Sequence, residues 1–181
     1  MSTTDIVPLR LVLAGEHSLS YNCIPTQTAE SKTMNITIRE MTIRDYDAVL
    51  ALWQASQGIG LSEADSEQGI AGFLDRNPGL SFVARTDEQL VGAVLCGHDG
   101  RRGYIHHLAV SRSRRRRGVG ETLVRHCLDR LKSAGIHKCH LFVFDDNEDA
   151  IAFWKRTGWL QRSELVVMSR YTEGNQADTL D

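Results

Sequence analysis

No apolar run in the sequence approaches the roughly 20 residues that would span a bilayer. The longest N-terminal candidate, Leu9 to Ala14, is interrupted by Arg10 and preceded by Asp5, so neither a membrane span nor an export signal is expected. Cysteine is sparse. Cys23, Cys96, Cys127 and Cys139 have neither the close pairs of a zinc site nor the density of a secreted disulfide scaffold, and read as reduced thiols of a cytoplasmic protein without a bound metal. An excess of either charge is also lacking. With 21 Lys and Arg against 23 Asp and Glu, the chain has no global attraction for nucleic acid or an anionic membrane, so any basic function must be local.

What is present fits one domain: 181 residues, 41% of them hydrophobic, suffice for one core and are short for two. Met1 to Thr33 lack periodic apolar pattern, hold two of the three prolines and end in the polar stretch TQTAESKT, which marks a tail or linker. A folded domain is expected over 34–171, followed by a C-terminal tail over 172–181. Ile36 to Met41 alternate as a half-buried strand, and Thr42 with Asp45 forms a capping-box start for a helix carrying Tyr46, Val49, Leu50 and Trp53 on one stripe. A second helix carries Ile70, Phe73 and Leu74 and stops at Asn77, Pro78 and Gly79. Leu80 to Arg85 and Leu90 to Cys96 read as a hairpin turning at Asp87 and Glu88, and Tyr104 to Val110 as a third strand.

The period then changes. Val119, Leu123, Val124, Cys127, Leu128 and Leu131 lie on one face of a long helix that ends at Gly135, and Cys139 to Phe144 reads as a buried strand. Strand, loop, helix and strand in that order make a right-handed parallel crossover. A helix over Glu148 to Arg156 and a last strand over Leu165 to Ser169 complete an α/β fold with a mixed central sheet flanked by helices.

The segment SRSRRRRGVGETL joins a strand to a helix, where free backbone N–H groups and the helix dipole favour an anion. Gly118 and Gly120 allow close approach, and Arg114 to Arg117 add positive charge. Alone, an arginine run would more simply be a solvated face or a nucleic-acid patch; the adjoining glycines favour a phosphate guest. A P-loop would need Lys and then Ser or Thr where Glu121 and Thr122 stand, and a dinucleotide fingerprint would need a small residue at Leu123.

The pattern Arg115-x-x-Gly118-x-Gly120 after Leu108-Ala109-Val110 resembles the acetyl-CoA signature of the GNAT superfamily of N-acetyltransferases. Asn147-x-x-Ala150-x-x-Phe153-Trp154-x-x-x-Gly158-Trp159 resembles the family's second signature, and the likeness runs from Ile36 to Tyr171. The resemblance implies a GNAT (acyl-CoA N-acyltransferase) fold and transfer of acetyl from acetyl-CoA to a primary amine by direct attack in a ternary complex, without an enzyme nucleophile. It implies that the backbone of Leu108, Ala109 and Val110 holds the pantetheine arm, with the Val110 N–H polarising the thioester. Arg115, Arg116, Arg117, Gly118, Val119 and Gly120 would hold the pyrophosphate, and Asn147 would contact the coenzyme. Arg112 and Arg114 read as solvent-facing, although one could meet the coenzyme's 3′-phosphate. Asn147 also reads as a helix N-cap, and Trp159 as core.

Many relatives use a strand glutamate as base. This chain has none on Tyr104 to Val110, and Phe142 stands where some relatives carry a carboxylate. His106 and His107 are the substitutes, each also readable as an ordinary strand histidine, with His140 behind them. Regular alternation would send His106 and His107 to opposite faces. Trp154 stands where the family's motif has a tyrosine able to protonate the departing thiolate, a role indole cannot fill. Glu63, Asp65 and Glu67 border the expected acceptor region and read as helix-start acids. A non-catalytic coenzyme A-binding module and a basic nucleic-acid-binding domain are the alternatives. The acceptor, small molecule or peptide, and the choice between monomer and homodimer are not encoded legibly.

Overall fold

Leu90–His98 is apolar with almost no alternation, and it forms the strand buried on both faces at the centre of the sheet. In the computed structural model, residues 35–87 and 89–172 are described. The expectation of a tail over Met1 to Thr33, most of that for 172–181, and the turn residue Glu88 lie outside them. The described strands are β1 (Thr37–Glu40), β2 (Phe82–Arg85), β3 (Leu90–His98), β4 (Gly103–Val110) and β5 (Cys139–Leu141). The helices are α1 (Tyr46–Gln54), α2 (Glu67–Arg76), α3 (Val119–Ser133) and α4 (Glu148–Arg156).

The sheet order is β1-β2-β3-β4-β5, with the first three pairings antiparallel and β4–β5 parallel. It is therefore the mixed sheet expected, with the parallel step following the crossover through α3. Alternation along the strands divides the core. Met41, Val49, Trp53, Ile70, Val83, Ala93, Leu95 and Ala109 cluster under α1 and α2. Phe82, Ala84, Val94, Cys96 and Ile105 cluster on the opposite face with the α3 stripe of Val119, Leu123, Val124, Cys127 and Leu131. The capping box at Thr42 is present, with Asp45 Oδ2 accepting the Thr42 N–H at 3.0 Å. Among the described residues no helix is long and apolar enough to cross a membrane.

Two expectations are corrected. The predicted buried strand Cys139 to Phe144 pairs only through Leu141; beyond it Phe142 and Phe144 are 65% and 55% exposed. The strand expected over Leu165 to Ser169 is absent: 165–170 have no regular structure, and Val166, Val167 and Met168 are exposed. A strand is completed by its ladder partner, and β propensity supplies none.

Candidate active site

The backbone of β4 changes character at its middle. Leu95 lies opposite His106 and Ala93 opposite Ala109, so His107 and Leu108 together face Val94 as a β-bulge. His107 takes a φ of 50°, in the left-handed region that non-glycine residues seldom occupy. Its carbonyl is held there by Trp53 Nε1, which donates to it at 3.0 Å.

The bulge cancels the alternation read from the sequence. His106 meets the ring of Phe73 from α2 and stacks on Tyr104. His107 packs edge-on to Trp53 from α1, and its Nε2 lies 2.7 Å from Asp65 Oδ1. Both histidines thus face α1 and α2, not opposite sides. Burial, and then the neighbouring His107, push His106 below the ordinary imidazole range, against an opposing pull from Asp65. His140 lies on β5 beside Tyr104, with ring centroids 5.9 Å apart.

Past the bulge, β4 loses its second neighbour. β5 pairs with Gly103, Tyr104 and Ile105 only, and no other described strand borders that edge. The Ser111 N–H donates to Val91 on β3, so by alternation the backbone N–H and C=O of Val110 point to the open edge. Ala109, opposite Ala93, instead turns its groups to β3. The Val110 carbonyl accepts Arg115 Nε at 3.0 Å, which ties the following loop to the strand end.

That loop makes a short 3-10 turn at Arg112–Arg114, passes through Arg116 at φ 58°, and enters α3 at Gly118 with φ 78°. The positive φ explains glycine at 118. The first turn of α3 presents N–H groups with no intrahelical acceptor, at the positive end of its dipole. A Cβ at Gly118 would meet nothing within 4 Å. The open strand edge, these N–H groups and the arginines fit an extended ligand ending in phosphates.

Asn147 caps α4, its Oδ1 accepting the Ala150 N–H at 3.1 Å. The other side of its amide lies against Gly58, where any Cβ would overlap Nδ2, and Gly60 lies close to the Phe144 ring. The loop between α1 and α2 therefore touches the loop that enters α4. Trp154, 8% exposed, packs edge-on between Phe153 and Trp159 and lines a cavity of about 540 Å³ with Tyr104, His140 and Leu141. Trp159 is partly buried against the same core.

Two of the described thiols, Cys127 and Cys139, are poorly suited to nucleophilic work. A hydrogen bond with Cys96, then burial, pushes Cys127 upward, and burial pushes Cys139 up to about 12. Sequence reasoning missed the reach of Asp65 to His107, because the contact spans 42 residues and leaves no local pattern.

A sequence profile described as the acetyltransferase (GNAT) family matches residues 46–159. An acetyltransferase of Pectobacterium atrosepticum is 32% identical over 62% of this chain and 79% of its own. Among solved structures, Ard1 from Thermoplasma volcanium aligns with a TM-score of 0.62 at 25% identity, covering 69% of this chain and 82% of that one. A PaiA N-acetyltransferase from Thermoplasma acidophilum, in complex with coenzyme A, aligns at 0.61 and 20% identity, over 69% and 89% of the two chains, and shares the fold.

Proposed function

The chain belongs to the acetyltransferase (GNAT) family, and on that premise we propose that it transfers the acetyl group of acetyl-CoA to a primary amine of a small molecule or peptide, by direct attack in a ternary complex. The observation that carries this reading is the junction of two features: the open edge of β4 at Val110, and the arginine–glycine loop that leads from it into α3. Leu108 and Val110 would hold the pantetheine arm, and Arg115, Arg116, Arg117, Gly118, Val119 and Gly120 the pyrophosphate. Asn147, at the head of α4, would contact the coenzyme through the side of its amide not used in capping. The Val110 N–H is a preorganised donor for the oxygen on which negative charge develops.

Of the two histidines we assign His107 as the base that accepts a proton from the substrate ammonium. It stands at the bulge between Trp53 and Asp65, next to the loop joining α1 and α2, whereas His106 is packed between Phe73 and Tyr104. Coenzyme thiol is a fair leaving group near neutral pH, with a pKa of about 8.5 by analogy with cysteine, so Trp154 need not supply an acid.

Thiol release from acetyl-CoA across a panel of amino acids, polyamines, aminoglycosides, peptide N-termini and lysine peptides tests the reading, alongside calorimetry with acetyl-CoA. Turnover with at least one amine is expected. Binding without turnover on any amine would favour the coenzyme-binding module, and no heat at millimolar acetyl-CoA would remove the coenzyme site altogether.

A further inference from the structure

Asp65 divides its carboxylate between two tasks. Oδ2 accepts the Ser62 backbone N–H at 2.9 Å and closes the 3-10 turn before α2, while Oδ1 stands 2.7 Å from His107 Nε2. The turn requires only the first contact. The second joins an acid near the start of α2 to the bulge of β4, and both side chains are largely withdrawn from water, at 11% and 18% exposure. The surroundings fix the pair from both sides: Trp53 Nε1 holds the His107 carbonyl, and Tyr46 Oη donates to the Asp65 carbonyl at 3.0 Å. An ionised carboxylate only accepts, so the ring nitrogen facing Oδ1 carries the hydrogen. In a neutral imidazole this puts the hydrogen on Nε2 and the lone pair on Nδ1.

We propose that Asp65 is a positioning residue for acetyl transfer, holding His107 in the Nε2–H tautomer so that Nδ1 is the proton acceptor, and balancing the ring's charge once it is protonated. This rests on the reading of His107 as base. One proton of the substrate ammonium passes to Nδ1. The freed nitrogen lone pair forms the C–N bond to the acetyl carbon, and the C–S bond breaks with its electron pair on sulfur. The second proton leaves nitrogen for the thiolate, and the imidazolium returns its proton to solvent. A carboxylate in this arrangement stabilises the protonated ring without itself taking the proton. His106 feels the Asp65 charge, but burial and His107 outweigh that pull and hold its ring toward the neutral form, and no hydrogen bond joins it to the carboxylate among the described residues.

Nitrogen-15 NMR of histidine-labelled protein, at a pH where the ring is neutral, reads the tautomer directly. His107 is expected as Nε2–H in the wild type, with that preference lost in Asp65→Asn, whose amide oxygen can still accept from Ser62. With an amine from the panel, His107→Gln should lower kcat by about 10²-fold or more. Asp65→Asn should lower it about 10-fold or more with the KM for acetyl-CoA unchanged, and the double variant should be no slower than His107→Gln alone. An Nδ1–H tautomer in the wild type, or losses that multiply in the double variant, would overturn the positioning role and leave His107 as base. Wild-type kcat in His107→Gln would overturn the base assignment and this inference with it. Should Asp65→Asn fail to fold, the wild-type tautomer decides alone.

Discussion

A methyl group on Gly120 would stand 3.5 Å from Phe153 Cζ and 3.6 Å from Val110 Cγ2, ordinary contact in both directions. The protein's own packing therefore does not demand glycine there, and the proposed coenzyme site gives a reason that a substitution can test. Gly120→Ala should leave the melting temperature unchanged or slightly raised, since alanine is favoured over glycine in a helix by about 0.5–1 kcal/mol. Its affinity for acetyl-CoA should fall roughly tenfold, about 1.4 kcal/mol. Gly120→Asp, which adds an anion against the pyrophosphate, should lose more. Calorimetry reads both, and equal affinity in Gly120→Asp would detach the loop from the coenzyme site.

Asp45 is the most thoroughly held carboxylate of the described residues. It takes two hydrogen bonds from Arg39 at 2.8 and 2.6 Å and one from the Thr42 N–H. Burial alone would raise its pKa, but those donors hold it below the ordinary carboxylate range. The unfolded chain then binds the proton first, so the stabilisation is fully present above about pH 4 and is lost as the pH falls through the folded value. Arg39 is 44% exposed, which discounts the pair. Asp45→Ala should cost about 1–3 kcal/mol at neutral pH and noticeably less at pH 3, as read by urea unfolding at the two pH values. An equal cost at both would assign the residue to packing.

His106 gives a second pH window. Its imidazole is held below the ordinary value by burial and by His107, so the folded state keeps it neutral while the unfolded chain protonates near ~6.5. The contribution is present above that pH and falls away below it, above the window where Asp45 acts. A melting series from pH 7.5 to 5 should decline in the wild type and flatten in His106→Phe, which keeps an aromatic ring beside Phe73 and Tyr104. An unchanged slope would remove His106 as the source of the decline.

Trp154 is enclosed by Phe153 and Trp159 at 4.9 and 5.1 Å between ring centroids, a packing role that a smaller ring fills in part. Trp154→Phe should cost stability, about 1–3 kcal/mol from the lost volume, yet retain the single-turnover acetyl-transfer rate within a few-fold. Trp154→Tyr should raise that rate only modestly. A collapse of the chemical step in Trp154→Phe, with fold and coenzyme affinity intact, would give the indole N–H a direct part in catalysis.

Signals that act over a few residues were legible in the sequence. The α3 stripe from Val119 to Leu131, except for the exposed Leu128, the stop at Asn77 to Gly79, the capping box at Thr42 and the glycine entry at Gly118 each need only neighbours in the chain. Less legible was whatever depends on a distant partner. Leu165 to Ser169 has the composition of a strand and no ladder, and Phe142 and Phe144 leave β5 for the same reason. The two histidines share a face because the bulge at His107 is held by Trp53, 54 residues earlier. Asp65 looked like a helix-start acid, and one of its oxygens is just that.

The contact of Gly58 with Asn147 has a thermodynamic consequence. The loop between α1 and α2 rests on the same amide that caps α4, so a ligand that shifted Asn147 would act on the loop as well, and one that ordered the loop would act on the amide. Two ligands addressing these elements share an interaction term, and linkage makes that term reciprocal: each changes the other's affinity by the same factor. If these elements couple the two sites, dissociation constants measured one ligand at a time will not multiply to give that of the ternary complex, and a Gly58 substitution reads how much of the difference passes through this contact.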